Sequence, residues 1–135
     1  WVCGYHGANM VKTILRIAAQ QETLTFVDDQ IGNPTFADDA ARMIVRLASE
    51  GRAGIWHVTN QGAVSWYDFT REVLRAANLN PERVKPVRTR DLVPARPAPR
   101  PANSVLENAA LRSAGIPLLE DFREPLSRLV KRLTS

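Results

Sequence analysis

The chain has 135 residues, 44% of them hydrophobic, which suffices for one compact domain with a moderate core but not for a complete two-domain enzyme. Its net charge is +4, and no apolar run approaches the length of a membrane-spanning helix, so we expect a protein without a membrane partner. The single cysteine, Cys3, cannot form an internal disulfide, which fits a reducing compartment and leads us to expect a cytoplasmic location.

The first segment predicts the end of a strand, a loop and a helix. The chain opens on Trp1 with neither an initiator methionine nor a signal peptide, and we interpret it as a fragment that starts inside a strand. The loop from Gly4 to Asn9 contains two glycines but no G-x-G-x-x-G phosphate-binding pattern. A helix is expected from about Asn9, its N-cap, to Gln20, because apolar residues recur there at helical spacing.

Residues 26–39 are expected to connect a strand to a helix through a tight turn, and the rest of the chain is organised around them. A strand is predicted over residues 23–27, where polar and apolar residues alternate with a β-branched and aromatic bias. Gly32 is expected to supply a positive φ in the turn, and Pro34 restricts Asn33 to an extended backbone. Such a turn suits the rim of a ligand site, although it also serves simply to connect two elements.

A second helix is predicted over residues 36–50. Thr35 is expected to be its N-cap, with Asp38 completing a T-x-x-D variant of the capping box, and Gly51 to follow its end as a C′ residue. We attribute the carboxylates around the turn to capping and turn fixing, and we expect neither a metal site nor an acid–base site there. These carboxylates belong to Asp28, Asp29, Asp38 and Asp39.

The middle of the chain predicts a short strand followed by a capped helix. Residues 54–59 have the composition of a strand, and His57 within them is expected to be structural, since no partner for a metal or base role lies nearby in sequence. Ser65 is expected to cap a third helix, with Asp68 at the box position. The aromatic ring of Trp66 at the start of this helix is favoured as a core residue over a pocket residue.

The last third of the chain is basic and rich in proline. Its basic residues are opposed between positions 83 and 100 only by Asp91, and they are Arg83, Lys85, Arg88, Arg90, Arg96 and Arg100. They would suit a phosphate-bearing partner, but no nucleic-acid motif accompanies them, so we expect no nucleic-acid partner. Residues 93–101 contain four prolines and predict a stiff, extended linker or rim. The remaining predicted elements are a strand over 84–88, a helical turn over 89–92, and helices over 107–113 and from about 121.

Several segments, in this order and spacing, closely resemble the dTDP-4-dehydrorhamnose reductase family. They are Val-Lys-Thr-Ile-Leu, Val-Asp-Asp-Gln-Ile-Gly-Asn-Pro-Thr, Ile-Trp-His-Val-Thr-Asn, Ser-Trp-Tyr-Asp-Phe and Ala-Pro-Arg-Pro-Ala-Asn-Ser. The resemblance covers essentially the whole chain. It implies an α/β fold, the C-terminal substrate-binding part of an extended short-chain dehydrogenase/reductase with its NAD(P)-binding Rossmann-like fold. Members of the family use NADPH or NADH to reduce dTDP-4-dehydro-L-rhamnose to dTDP-L-rhamnose for bacterial cell-surface polysaccharides.

The resemblance also implies which part of such an enzyme is present. The family's N-terminal Rossmann half holds a glycine-rich loop and a catalytic Tyr-x-x-x-Lys group, and neither occurs here, since Tyr5 is followed four residues later by Asn9 and Tyr67 by Arg71. We therefore expect residues 1–135 to form one sugar-nucleotide-binding portion that is inactive alone. The cofactor would be bound mainly by an N-terminal half outside this chain, and a homodimer is possible.

Carried over by motif, the resemblance implies substrate-binding residues but no catalytic or metal-binding ones. Trp1 matches a tryptophan that contacts the deoxysugar, and Asn9 matches a Gly-x-Asn position near the nucleotide sugar. Pro34 and Thr35 fall at the turn that borders the pocket. Arg100 suits the diphosphate or the pocket rim, because a guanidinium matches phosphate oxygens.

Two other functions stay open on the sequence alone. The regulatory beta subunit of methionine adenosyltransferase resembles the same family and acts by binding a partner without catalysis. An epimerase or dehydratase of the same extended group, acting on another sugar nucleotide, is the second alternative.

Overall fold

Helices and short strands alternate along the chain, which confirms the predicted α/β class. The computed structural model describes residues 1–95 and 97–135. Its strands are β1 (Val2–Cys3), β2 (Leu24–Val27), β3 (Ile31–Gly32), β4 (Thr35–Phe36), β5 (Val64–Ser65) and β6 (Val84–Val87). Its helices are α1 (Met10–Gln20), α2 (Ala37–Ser49), α3 (Trp66–Ala76), α4 (Ala109–Ser113) and α5 (Arg123–Thr134), with 3-10 turns at Pro81–Arg83 and Thr89–Asp91.

Three consecutive strands, β2, β3 and β4, each pair with a different partner. β2 lies parallel to β6, with Leu24 opposite Val84, and β4 lies parallel to β1, with Thr35 opposite Val2. β3 lies antiparallel to β5. The stretch from 24 to 36 therefore ties together segments that are far apart in sequence, and the turn inside it is fixed by all three pairings.

The main core lies where α1, α3 and α5 meet the β2–β6 pair. Its largest fully buried apolar side chains are Phe69, Phe122, Ile14, Leu24, Leu74 and Leu126. Each such side chain contributes about 1.5–3 kcal/mol by leaving water. A second cluster joins α2 to α4 and the segment after it through Met43, Leu47, Leu111 and Ile116.

The predicted caps of α1 and α3 are confirmed. Asn9 Oδ1 accepts a hydrogen bond from the backbone of Lys12 at 3.4 Å, and Ser65 Oγ accepts one from the backbone of Asp68 at 3.0 Å. Ser65 Oγ also donates to the Asp68 carboxylate at 2.7 Å, which completes the predicted box. Gly51, just beyond α2, has the positive φ of 63° that its predicted C′ position requires.

The predicted cap of α2 is wrong. Thr35 lies in β4 and its Oγ1 donates to the carbonyl of Asn33 at 3.4 Å, so it is not available to cap the helix. The position before the helix is Phe36, whose backbone N–H donates to Asn60 Oδ1 at 2.9 Å. Asn60 is fully buried and also donates to the Asp39 carboxylate at 2.8 Å. The helix therefore has no side-chain N-cap, and the side-chain amide of Asn60, distant in sequence, instead binds the residue that precedes it.

The predicted strand over residues 54–59 is also wrong, since these described residues pair with no strand. They form an irregular segment whose end is fixed by the side chain of Asn108. Asn108 Oδ1 accepts from the backbone of Thr59 at 2.9 Å, and Asn108 Nδ2 donates to Thr59 Oγ1 at 2.7 Å. His57 is exposed, with Nδ1 3.3 Å from the carbonyl oxygen of Glu107. Side-chain hydrogen bonds thus hold this segment in place of the strand pairing that was expected.

Part of the basic surface has a structural role. The Arg83 guanidinium donates to the carbonyls of Ala18 at 2.7 Å and Glu22 at 2.9 Å, which satisfies backbone groups at the C-terminal end of α1. Arg96 lies outside the described residues. None of the helices in the two described ranges is long and apolar enough to cross a membrane.

Candidate ligand-binding cleft

A partly open cleft of about 470 Å³ lies between the β2–β3 turn, the start of α3 and the proline-rich segment. Its volume is in the range of pockets that bind small molecules. The lining comes from several separate segments and comprises Trp1, Met10, Thr25, Phe26, Val27, Gln30, Trp66, Leu92, Arg100, Pro101 and Ser104. Two of the predicted site residues, Trp1 and Arg100, therefore meet in one cleft.

One wall of the cleft is a pair of stacked indoles. The rings of Trp1 and Trp66 lie 3.6 Å apart between centroids, with an interplanar angle of 12°, and Phe69 meets Trp1 edge-on at 6.1 Å. Trp66 is the first residue of α3, so the Ser65 cap fixes its position. Both indoles are half-buried, and the wall they form is apolar and rigid.

The backbone of the turn at residues 33–35 holds Trp1 in place. The Trp1 backbone nitrogen donates to the carbonyl of Asn33 at 2.9 Å, and its carbonyl accepts from the N–H of Thr35 at 2.8 Å. Pro34 and Thr35 are buried and lie outside the cleft lining. The structure thus places these two predicted site residues behind Trp1, where they support its position.

Gly32 lies against Trp1, and the reason expected for this glycine is wrong. It does not adopt a positive φ. A Cβ at this position would instead lie 2.7 Å from Trp1 Cε2 and 2.8 Å from Ser104 Oγ, closer than carbon atoms can approach. Glycine is therefore required by the close approach of the indole and not by the conformation of the turn.

The opposite rim is formed by the end of the proline-rich segment. The N–H of Ile31 donates to the carbonyl of Ala102 and the N–H of Ser104 donates to the carbonyl of Ile31, both at 2.8 Å. These two bonds attach the segment to β3 and place Arg100 and Ser104 at the cleft. Arg100 is exposed, so its guanidinium is available to an anion at the mouth.

Asn9 acts next to the cleft and not inside it. Its Nδ2 donates to the carbonyl of Gly4 at 2.7 Å and its Oδ1 caps α1, so the side chain is committed to the backbone. The following residue, Met10, reaches the cleft lining. Asn9 therefore fixes where Met10 enters the site.

A chain of hydrogen bonds leads from the buried, cleft-lining Gln30 to the partly exposed Thr89 and Asp29. Gln30, only 5% exposed, donates from Nε2 to Thr89 Oγ1 at 2.9 Å, and Thr89 Oγ1 donates to Asp29 Oδ1 at 2.6 Å. The hydrogen bond from Thr89 holds the pKa of the Asp29 carboxyl below its usual value. Asp28 Oδ1 lies 3.5 Å from Arg88 Nε. Asp29 thus attaches the segment after β2 to the 3-10 turn at Thr89–Asp91, a more distant contact than the local turn fixing that was predicted.

The sequence analysis did not identify several lining residues. Met10, Phe26, Gln30, Leu92 and Ser104 lie at the cleft, as does Trp66, which had been favoured as core. The available signal was a polar Gln30 directly after a strand and two aspartates, since a buried amide in such a place needs hydrogen-bond partners. Among the described residues, no group of three or more potential metal ligands is found.

The sequence matches the RmlD substrate binding domain family over residues 1–135. It is 37% identical to a dTDP-4-dehydrorhamnose reductase of Streptomyces griseus, covering 94% of this chain and 43% of the relative. It is 39% identical to the spore coat polysaccharide biosynthesis protein SpsK of Bacillus subtilis, covering 86% of this chain and 40% of the relative.

Solved structures show the same relationship. A dTDP-4-dehydrorhamnose reductase of Bacillus anthracis, determined in complex with NADP, superimposes with a TM-score of 0.90 at 33% identity over 98% of this chain and 46% of that one. An orthologue from Clostridium acetobutylicum gives a TM-score of 0.91 at 33% identity over 100% of this chain and 47% of that one. The chain spans less than half the length of these proteins, and because the family match extends over all 135 residues, the chain belongs to the RmlD substrate binding domain family.

Proposed function

We propose that this chain supplies the sugar-nucleotide side of the active site of an NAD(P)H-dependent reductase that converts dTDP-4-dehydro-L-rhamnose to dTDP-L-rhamnose. The observation that carries the proposal is the cleft in which the stacked indoles of Trp1 and Trp66 face a rim that bears Arg100. The names of the relatives support the reaction, and the match to the RmlD substrate binding domain family over residues 1–135 supports the role in substrate binding.

The two ends of the cleft suit the two ends of such a substrate. A half-buried indole offers a flat apolar surface, which matches the apolar face and the methyl group of a 6-deoxyhexose. The exposed guanidinium of Arg100 offers paired donors, which match the oxygens of a diphosphate. The negative carboxylate of Asp29 would repel the diphosphate. Its oxygens accept hydrogen bonds from the N–H and the hydroxyl of Thr89, and these donors offset part of that repulsion.

The cleft residues do not form a cradle for a dinucleotide. A pyrophosphate binds at a helix N-terminus that is opened by a glycine-rich turn, so that the backbone can approach it closely. Two helices start at this cleft, α1 at Met10 and α3 at Trp66. The loop before α1 has no G-x-G-x-x-G pattern and Asn9 caps the helix, while the ring of Trp66 at the start of α3 is covered by Trp1. NADPH or NADH would therefore be bound mainly by residues outside this chain, where it would supply the hydride. The residues described here bind and orient the sugar nucleotide.

Turnover assays of the native protein test the proposal. The purified full-length enzyme that contains residues 1–135 should consume NADPH in the presence of dTDP-4-dehydro-L-rhamnose and release dTDP-L-rhamnose as the product. Conversion of a sugar nucleotide without net NADPH oxidation would overturn the reductase assignment in favour of an epimerase or dehydratase. Binding to a partner enzyme without any turnover would overturn it in favour of a regulatory subunit.

A substitution at Trp1 tests the role of the cleft. We expect Trp1→Ala to lower kcat/KM for the sugar nucleotide by at least about tenfold, because the apolar wall loses its outer ring, while NADPH affinity stays nearly unchanged. Trp56→Ala is the matched control, since this indole is also half-buried but packs against the second core cluster. An equal loss of NADPH affinity in Trp1→Ala would count against the assignment.

A further inference from the structure

The hydrogen bonds of Thr89 determine which way its hydroxyl points. Asp29 accepts from the Thr89 hydroxyl at 2.6 Å and from the Thr89 backbone N–H at 3.0 Å. The pKa of Asp29 is lowered by the bond from the Thr89 hydroxyl, so its carboxylate remains ionised and can only accept. The single hydroxyl proton of Thr89 therefore points at Asp29.

This arrangement fixes the side-chain amide of Gln30. With its proton committed, Thr89 Oγ1 can only accept from Gln30, 2.9 Å away, so the NH₂ group of Gln30 must face Thr89. The carbonyl oxygen, Oε1, then points away from Thr89. Thr89 is not part of the cleft lining, whereas Gln30 is. The oxygen is thus the polar atom that Gln30 presents to the cleft.

The surroundings make this oxygen selective. Gln30 is 5% exposed, and it shares the cleft with the apolar side chains of Phe26, Val27 and Leu92. Within residues 1–95 and 97–135, no N–H or O–H group hydrogen-bonds to Gln30 Oε1. An acceptor in a largely apolar site favours a ligand that brings a donor and disfavours one that brings another acceptor.

We propose that Gln30 is a specificity-determining residue whose Oε1 accepts a hydrogen bond from an N–H or O–H group of the bound sugar nucleotide, and that Thr89 and Asp29 are positioning residues that fix its amide. This inference rests on the proposed function, because it identifies a contact of the same cleft. The donor is either the ring N–H of the pyrimidine base or a hydroxyl of the hexose.

The primary test removes the acceptor while keeping the shape of the side chain. In the native protein, Gln30→Met should weaken binding roughly three- to tenfold, as measured by titration calorimetry with dTDP and with a dTDP-hexose. A loss for both ligands points to the ring N–H of the base, which the N3-methyl analogue then tests, and a loss for the dTDP-hexose alone assigns the donor to the hexose. Unchanged affinity for both would overturn the proposal.

Variants at Thr89 test the orientation of the amide. Thr89→Val removes the hydroxyl at nearly constant volume and should weaken the same ligand as Gln30→Met, whereas Thr89→Ser keeps the hydroxyl and should bind like the wild type. Equal affinities of the valine and serine variants would overturn the positioning role.

A readout of ligand discrimination separates recognition from a general loss of structure. If the donor belongs to the base, the wild type should prefer dTDP over its N3-methyl analogue, and Gln30→Met should lose that preference. If the donor belongs to the hexose, the loss of affinity should be confined to the dTDP-hexose. A variant that weakens all ligands and retains the preference would overturn the proposal. Wild-type protein that binds dTDP-sugars but reduces none would instead count against the proposed function alone.

Discussion

Replacing Gly32 by alanine should distort the indole wall of the cleft. The added Cβ would lie 2.7 Å from Trp1 Cε2 and 2.8 Å from Ser104 Oγ, compared with an ordinary contact of about 3.4–4 Å. Trp1 cannot retreat freely, because its ring is stacked at 3.6 Å on Trp66 and its backbone is held by two hydrogen bonds to the turn. The clash must therefore be absorbed by moving the wall or the turn.

The magnitude follows from this geometry. Contacts of this kind in a well-packed site cost about 1–3 kcal/mol. The backbone conformation adds no further cost, because the φ of Gly32 is not positive and alanine can adopt it. We expect the free energy of unfolding to fall by about 2 kcal/mol in urea titrations. The near-ultraviolet circular dichroism and the tryptophan fluorescence should change as well, since the two stacked indoles are the groups displaced.

Gly115→Ala is the matched control for this substitution. Gly115 has a φ of 66° and open space at its Cβ position, so an alanine there costs only the left-handed backbone conformation, about 1 kcal/mol. The control should lose stability without any change in the indole spectra. If Gly32→Ala leaves both the spectra and the stability as they are in the wild type, the argument that close approach requires this glycine is refuted.

Two further predictions concern buried groups. Asn60→Leu leaves the N–H of Phe36 without its acceptor and removes one hydrogen bond to the buried carboxylate of Asp39, which keeps its ion pair with Arg42. Urea unfolding should therefore show a loss of about 2–4 kcal/mol, whereas Asn80→Ala at an exposed turn should cost no more than about 1 kcal/mol. Similar losses in the two variants would contradict the buried network. Burial raises the pKa of the Cys3 thiol from 9.0 to about 11, so the thiol ionises at a lower pH in the unfolded chain than in the folded one. The buried thiol therefore contributes about 3 kcal/mol to the free energy of unfolding below pH 9, and this contribution is lost as the pH rises toward 11. Cys3→Ala should remove this part of the pH dependence, and identical pH profiles for the two proteins would argue against it.

Elements that depend on neighbouring residues could be predicted from the sequence. The cap of α1 at Asn9 and the capping box of Ser65 and Asp68 each involve groups three positions apart, so the pattern contains all the partners. The strand β2 was identified from its alternation, and the glycine after α2 from its position. Long-range packing did not override these local preferences.

The errors arose where a distant residue supplied the decisive contact. The residue before α2 is bound by Asn60, and the irregular segment before Thr59 is held by Asn108, 49 positions away from Thr59. Glycine is required at position 32 because the indole of Trp1, which is distant in sequence, lies against it. No local pattern contains these partners, so capping and strand propensity gave the wrong answer there.

The same limit applies to the cleft. Helical periodicity cannot show whether an aromatic side chain packs in the core or lines a pocket. Trp66 is half-buried: one face of its ring packs on Trp1, and the residue also lines the cleft. The resemblance by motif named Trp1 and Arg100, which the structure brings to one cleft, and it named Pro34 and Thr35, which the structure places behind it. Whether each of these residues contacts substrate stays a prediction.

The stretch from residue 24 to residue 36 explains why stability and ligand binding should be linked in this chain. Three sides of the cleft are attached to it or belong to it: Trp1 through the turn at 33–35, the rim at 100–104 through Ile31, and Gln30, which is part of the stretch. The backbone and the carboxylates of this stretch position these walls, while most residues that line the cleft lie on other segments. Substitutions within the turn should therefore lower stability and affinity together, whereas substitutions at Arg100, which is exposed at the mouth, should lower affinity alone.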